Sequence, residues 1–173
     1  RVVNVASEMA YGLEADDHES LLAALRRPTA DRPFQLKRAL EAGISVDEIY
    51  EATGIDPWFL DQFVDILERE EHWRNAAEVT PELLRRMKRD GFGDRQLADL
   101  RGVSEDEIRE LRWQHAIHPT YNVVDTCAGE FPAETPYFYS SYEDETESEP
   151  SDREKIIILG SGPNRIGQGI EFD

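Results

Sequence analysis

Two sets of glycine turns and apolar residues recur along this chain at one constant offset of 48 residues, and they narrow the possible folds more than any other feature. Gly43-Ile44 aligns with Gly91-Phe92, Ile49 with Leu97, Gly54-Ile55 with Gly102-Val103, and Leu60 with Ile108. Each set reads as a short helix, a glycine turn and a second helix. One helix pair cannot bury its apolar face alone, so two copies are expected to pack as a pseudo-symmetric pair.

The helix signals around this pattern are local and dense. Asp31 can cap a helix carrying Pro33, Phe34, Leu36 and Leu40, which Gly43 stops. Ser45 with Glu48 has capping-box spacing and opens a short helix to Gly54. Asp56-Pro57 starts the longest helix, with Phe59, Phe63, Ile66 and Leu67 at helical spacing, running to about Asn75. Thr80-Pro81 caps a helix that ends at Asp90-Gly91, and Asp94–Arg101 is a further short one before Gly102. Ser104 with Glu107 repeats the capping box and opens a helix to about His115. Residues 20–118 therefore read as all-helical, whereas 1–17 are weakly patterned.

Beyond His118 the character changes. His118–Tyr142 is rich in Tyr, Thr, Pro and small residues and is expected to be extended chain laid on a surface. Residues 143–150 hold five acids and read as a solvated loop. Lys155–Leu159 is a continuous apolar run, suited to a strand buried on both faces of a parallel sheet. One strand cannot make a sheet, and the sequence does not begin with Met. It is therefore expected to be a piece of something longer.

Charge separates these regions. The 173 residues carry 37 acids and 19 bases, for a net charge of −18. Five acids face one base over 1–19, twenty face fifteen over 20–118, and twelve face three over 119–173. This balance argues against bulk nucleic-acid binding, where phosphates demand a basic face. Sixteen arginines stand against three lysines, Lys37, Lys88 and Lys155. Two readings of that bias stay open, a surface adapted to high salt and an ordinary acidic surface. The single cysteine, Cys127, excludes an internal disulfide and fits a reducing compartment. No apolar run approaches the roughly 20 residues of a membrane-spanning helix, and no signal-peptide pattern is visible.

The clearest ligand-type feature is the loop Gly160-Ser161-Gly162-Pro163-Asn164-Arg165-Ile166-Gly167-Gln168-Gly169 after the apolar run. Glycines let backbone approach a ligand, and N–H groups at a helix start favour anions. The spacing is neither the dinucleotide fingerprint nor a P-loop, and a tight strand-to-helix turn explains it equally well. Residues 96–108 also have helix-turn-helix spacing, but the second helix begins Glu105-Asp106-Glu107, which would meet phosphates with like charge. His115, His118 and Cys127 are too few and too scattered for a metal site, and Cys127 reads as a small buried residue rather than a nucleophile. Trp58, Phe59 and Phe63 read as core or helix interface, with a subunit contact as a further use. The acidic run 143–149 reads as a solvated linker rather than a cation site.

Several of these segments carry a family resemblance. DREKIIILGSGPNRIGQGIEFD, over Asp152–Asp173, resembles the central junction in the carbamoyl-phosphate synthase large chain. HPTYNVVDTCAGEF at His118–Phe131 and TPYFYSSYE at Thr135–Glu143 resemble the stretch leading into it. IDPWFLDQF at Ile55–Phe63 and MKRDGFGDRQLADLRGVSEDEIRELR at Met87–Arg112 resemble that family's helical middle domain. The likeness covers about Leu21 to Asp173, and Ser161 is a mild departure from the usual loop.

The resemblance implies a mostly α fold: a multi-helix oligomerisation domain with an internal helix-hairpin repeat, then an extended segment and the first strand and Gly loop of a truncated α/β (pre-ATP-grasp) domain. It places a linker from a preceding ATP-grasp half at 1–19, the oligomerisation domain at 20–148, and the start of the carbamoyl-phosphate synthetic domain at 149–173. The implied parent is a cytoplasmic, glutamine-dependent ligase. It makes carbamoyl phosphate from bicarbonate, glutamine-derived ammonia and two ATP with Mg²⁺ or Mn²⁺, for pyrimidine and arginine biosynthesis. Its implied partners are the other domains of the large chain, a glutaminase small chain and further copies, with neither nucleic acid nor membrane. No catalytic, nucleotide or metal residue carries over onto this chain, and no cofactor is expected to bind it. The carry-over is limited to Gly160, Gly162, Asn164, Arg165, Gly167, Gly169 and Glu171, as candidates flanking a passage for carbamate. A stand-alone helix-turn-helix DNA-binding regulator is the competing reading.

Overall fold

A computed structural model describes residues 17–132 and 137–157. Seven helices are present among them: α1 (His18–Arg26), α2 (Arg32–Glu41), α3 (Val46–Thr53), α4 (Pro57–Asn75), α5 (Pro81–Arg89), α6 (Asp94–Arg101) and α7 (Glu105–Gln114). Two strands follow, β1 (Thr120–Val123) and β2 (Phe138–Ser141). They pair antiparallel, with Thr120 opposite Ser141 and Val123 opposite Phe138. The chain is thus mostly helical with one small ribbon, and the ribbon realises the extended stretch expected after His118.

Caps explain most helix boundaries. In both capping boxes the bonds are reciprocal: Glu48 N–H donates to Ser45 Oγ while Ser45 N–H donates to Glu48 Oε2 (3.3 and 3.0 Å). Glu107 and Ser104 repeat this at 3.2 and 2.8 Å. The Ser45 hydroxyl, its backbone N–H and then His18 hold the Glu48 carboxyl down at about 2. Thr80 Oγ1 accepts from Leu83 N–H at 3.2 Å. Gly54 (φ +68°) and Gly102 (φ +66°) end α3 and α6 in the left-handed conformation that side chains disfavour.

One local expectation is corrected, and one helix is added. Asp31 precedes α2 but makes no side-chain cap, because its own backbone is already right-handed helical (φ −86°, ψ −6°) rather than extended. Its carbonyl accepts from the N–H groups of Phe34 and Gln35 instead. Helix α1 has no individual counterpart in the sequence expectation. Asp17 caps it by accepting from Ser20 N–H at 2.8 Å, and the boundary drawn at residue 19 falls within its first turn.

The core is divided in two. Leu21, Leu25, Leu36, Ala39, Ile44, Ile49 and Leu60 form an N-terminal cluster, built from α1 to α3 and the start of α4. Trp73, Leu84, Met87, Phe92, Leu97, Ala98, Ile108 and Ile117 form a C-terminal one, from the end of α4 through α7 and just beyond. Buried residues of the two clusters fall at a separation of 48: Leu25 and Trp73, Leu36 and Leu84, Ile44 and Phe92, Ile49 and Leu97, Leu60 and Ile108. Helix α4 spans both clusters, and its Glu70 joins them. This buried carboxylate accepts from Lys37 Nζ of α2 at 2.8 and 2.9 Å and from Gln96 Nε2 of α6 at 3.0 Å.

Two further expectations change. Trp58 and Phe59 are not core: they are 61% and 57% exposed, while Phe63 packs against the N-terminal cluster. Residues 155–157 form no strand, and Ile156 and Ile157 are exposed. A strand needs at least one neighbouring strand to pair with, and the described residues offer it none. The rest of that run lies outside the described residues.

Candidate functional site

Gly160, Gly162, Asn164, Arg165, Gly167, Gly169 and Glu171, the loop singled out from sequence, all lie outside the described residues. What the described part builds is a buried ionic network with an aromatic lid, two open clefts and an exposed aromatic pair.

The network sits beside the C-terminal cluster. Lys88 on α5 and Arg112 on α7 are 7% and 8% exposed, and both reach Asp94 at the start of α6. Lys88 Nζ lies 2.7 Å from Asp94 Oδ1 and also donates to Phe92 O at 2.6 Å. Arg112 Nη2 donates to Asp94 Oδ2 at 3.0 Å, and Arg112 Nη1 to Ile117 O at 2.9 Å. Burial alone would raise the Asp94 carboxyl. The hydrogen bonds and charges of Lys88 and Arg112 outweigh it and hold the group below its usual value.

Tyr142, just past β2, closes over this network. Its ring centroid is 5.1 Å from Lys88 Nζ and 5.8 Å from Arg112 Cζ, so both cations face its π system. Burial pushes its phenol upward. Arg89 Nε donates to Tyr142 O at 3.0 Å, and Arg89 Nη2 to Asp144 Oδ2 at 2.8 Å. The acids of this stretch are exposed, as expected, and the stretch is also tied to α5 and to β1. Glu147 N–H donates to Tyr121 O, and Val123 N–H to Glu147 Oε2. Sequence reasoning missed Lys88, Asp94, Arg112 and Tyr142. The available signal was two cations, Lys88 and Arg112, inside otherwise apolar helical faces.

The remaining features are surfaces. Trp58 and Phe59 stack edge to face, centroids 5.0 Å apart and planes at 87°. One cleft of about 650 Å³ is lined by Arg69, Arg85, Arg86 and Arg89 with Glu82 and Asp90. A second, of about 560 Å³, opens beside the N-terminal cluster between Leu40, Val46 and Val64. Among the described residues no group of three or more His, Cys, Asp or Glu side chains is placed to hold a metal ion. Nor is any of their helices long and apolar enough to cross a membrane. Cys127 is a half-buried free thiol beside a turn where Asp125 accepts from the N–H groups of Cys127 and Gly129. Helix α7 opens with Glu105, Asp106 and Glu107, all exposed, an acidic face unsuited to phosphate.

These arrangements bind helix to helix and ribbon to helix, and they define a helical packing module. The family described as carbamoyl-phosphate synthetase large chain, oligomerisation domain, matches residues 3–116, and the chain belongs to that large-chain family. The carbamoyl phosphate synthase large chain of Gemmatimonas aurantiaca is 54% identical over 155 residues, covering 90% of this chain and 14% of that protein. The large chain of Clavibacter michiganensis is 53% identical over 167 residues, covering 96% of this chain and 15% of that one. For Streptomyces avermitilis the identity is 49% over 167 residues, with the same shares. The chain therefore spans only about one seventh of the length of these relatives.

Proposed function

We propose that these residues are the assembly and connecting element of a larger carbamoyl-phosphate-forming ligase. The observation that carries this reading is the match of residues 3–116 to an oligomerisation domain. In this reading 1–19 lead in from an ATP-grasp half, 20–148 are the assembly domain, and 149–173 open the second synthetic half. The 48-residue spacing marks two copies of one helix-hairpin unit within the assembly domain. The parent ligase uses bicarbonate, glutamine-derived ammonia from a glutaminase small chain, and two ATP with Mg²⁺ or Mn²⁺. It works in the cytoplasm and serves pyrimidine and arginine synthesis. The loop Gly160–Gly169 with Glu171 flanks the carbamate passage there. The arginine-rich, lysine-poor acidic surface keeps the protein soluble at high salt.

The exposed Trp58–Phe59 pair is the natural self-contact, since aromatic side chains are enriched at the centres of interfaces. Sedimentation velocity over a wide concentration range tests the assembly role. The chain is expected to associate, and Trp58→Ser with Phe59→Ser to return it to monomer without loss of helical signal. A strict monomer at the highest concentration would overturn the reading, and so would bicarbonate-dependent ATP hydrolysis by these 173 residues alone.

A further inference from the structure

The seat that Tyr142 occupies has an open counterpart 48 residues earlier. Four side chains frame Tyr142: Lys88 and Arg112 beneath its ring, Asp94 between them, and Arg89 at its carbonyl. Subtracting 48 from each gives Leu40, Val64, Val46 and Glu41. All four line the same cleft of about 560 Å³ beside the N-terminal cluster. The frame at the two places is alike. Gly43 N–H donates to Leu40 O as Gly91 N–H donates to Lys88 O, and Ile44 N–H donates to Ala39 O as Phe92 N–H donates to Met87 O.

The chemistry of the two seats is inverted. The ionic triad of the C-terminal seat is replaced by three aliphatic side chains, with buried Ile44 at the position of Phe92. Arg89, which holds Asp144, is replaced by Glu41. Glu68 and Glu71 add to the same rim, with Arg74 as its only arginine. Glu68 and Glu71 form no ion pair with any described residue.

We infer that this cleft seats an extended segment from outside these 173 residues, with an aromatic anchor for the aliphatic floor and a flanking Lys or Arg for the acidic rim. The inference rests on the two-copy reading above. An aliphatic floor rewards burial of an apolar ring, and its volume is that of an ordinary ligand pocket. Charge argues against a second copy as occupant. No Lys or Arg occurs over residues 39–68, which hold the exposed Tyr50, Trp58 and Phe59, or over 114–152, which hold the exposed Tyr121, Phe131, Tyr137, Phe138 and Tyr139. The exposed Trp113 lies on helix α7, and its neighbour Arg112 is already paired with Asp94. None of these offers an extended aromatic segment with a flanking base for the acidic rim.

The chain's own Tyr142 segment supplies the probe. A synthetic peptide of residues 137–147 carrying Glu143→Lys, Asp144→Lys, Glu145→Lys and Glu147→Lys is titrated into methyl-labelled chain. It is expected to shift the methyls of Leu40, Ile44, Val46 and Val64, while the unaltered acidic peptide leaves them in place. Adding Tyr142→Ser to the basic peptide is expected to weaken binding about tenfold or more, the loss of one buried anchor. In the chain, Glu68→Lys with Glu71→Lys, both exposed, is expected to weaken it similarly without touching the fold. Shifts spread over the acidic surface, or equal affinity with and without the tyrosine, would overturn the assignment. So would the same methyl shifts on concentrating the chain alone, which would make a second copy the occupant. An experimental structure separates the two failures. If α2–α3 and α5–α6 superpose but the peptide does not bind, only the cleft assignment falls. If they do not superpose, the two-copy reading falls as well.

Discussion

The N-terminal and C-terminal clusters share one spacing of buried residues, yet they are finished differently. The first is aliphatic, with Leu25, Ile44, Ile49 and Leu60 at its centre and a cleft left open at its side. The second holds Trp73, whose Nε1–H donates to Leu97 O at 2.9 Å, with Arg101 over its ring at 5.7 Å. It adds the Lys88–Asp94–Arg112 network and closes it with Tyr142. A helix-hairpin frame thus dictates where side chains are buried without dictating their polarity. An aliphatic side tolerates an open face, whereas an ionic side requires every member to be present.

The largest expected effect follows from that requirement. Asp94→Ala strands two nearly buried cations, and breaking a buried pair costs about 3–5 kcal/mol. Val46→Ala, at the matching position of the aliphatic half, removes only half-buried methyl groups, at about 1 kcal/mol. Chemical denaturation of the two variants measures the difference, and equal losses would show that the network adds nothing specific. The sign with pH is defined. Lys88 and Arg112 hold the Asp94 carboxyl below the ordinary aspartate range in the folded chain. Its contribution is therefore present above the unfolded pKa and is lost as pH falls through the lower folded value. Asp94→Asn is expected to flatten that acid limb, which Val46→Ala leaves unchanged.

Next in size is the joint between the halves. Glu70→Ala leaves Lys37 and Gln96 without their shared acceptor, at about 2–3 kcal/mol. Because these partners belong to different clusters, the loss is expected to uncouple them. Unfolding should broaden and the denaturant dependence fall. A sharp single transition with unchanged slope would mean that the apolar packing along α4, not the carboxylate, joins the two halves.

What could be read from residues alone divides along the same physical line. Capping boxes at Ser45-Glu48 and Ser104-Glu107 act within four residues, so helix starts were legible there. Asp31 shows the limit, since residue type cannot say that its backbone is already helical. Trp58 and Phe59 show another, because helical spacing identifies a stripe but not which edge of it faces water. The ionic networks were illegible for a stronger reason. Arg112 meets Asp94 across 18 residues and Lys37 meets Glu70 across 33, pairings that only packing creates. The glycine loop at 160–169, the feature most like a ligand site in sequence, lies outside the described residues.

The smallest effect bears most directly on whether one unit occurs twice. Gly54 and Gly102 have nearly the same φ, +68° and +66°, and a Cβ at either would meet nothing within 4 Å. Alanine at each therefore costs only the backbone term of the left-handed conformation, about 1–2 kcal/mol. If the two turns are the same device, Gly54→Ala and Gly102→Ala should lower stability equally, to within about 0.5 kcal/mol. The turns lie in separate clusters, so the double variant should equal their sum. Unequal single losses would locate a difference in the turns themselves. Equal singles with a non-additive double would instead show that strain at one turn is transmitted to the other. Glu70 and helix α4, which span both clusters, are then the route to test with the same pair of substitutions in a Glu70→Ala background.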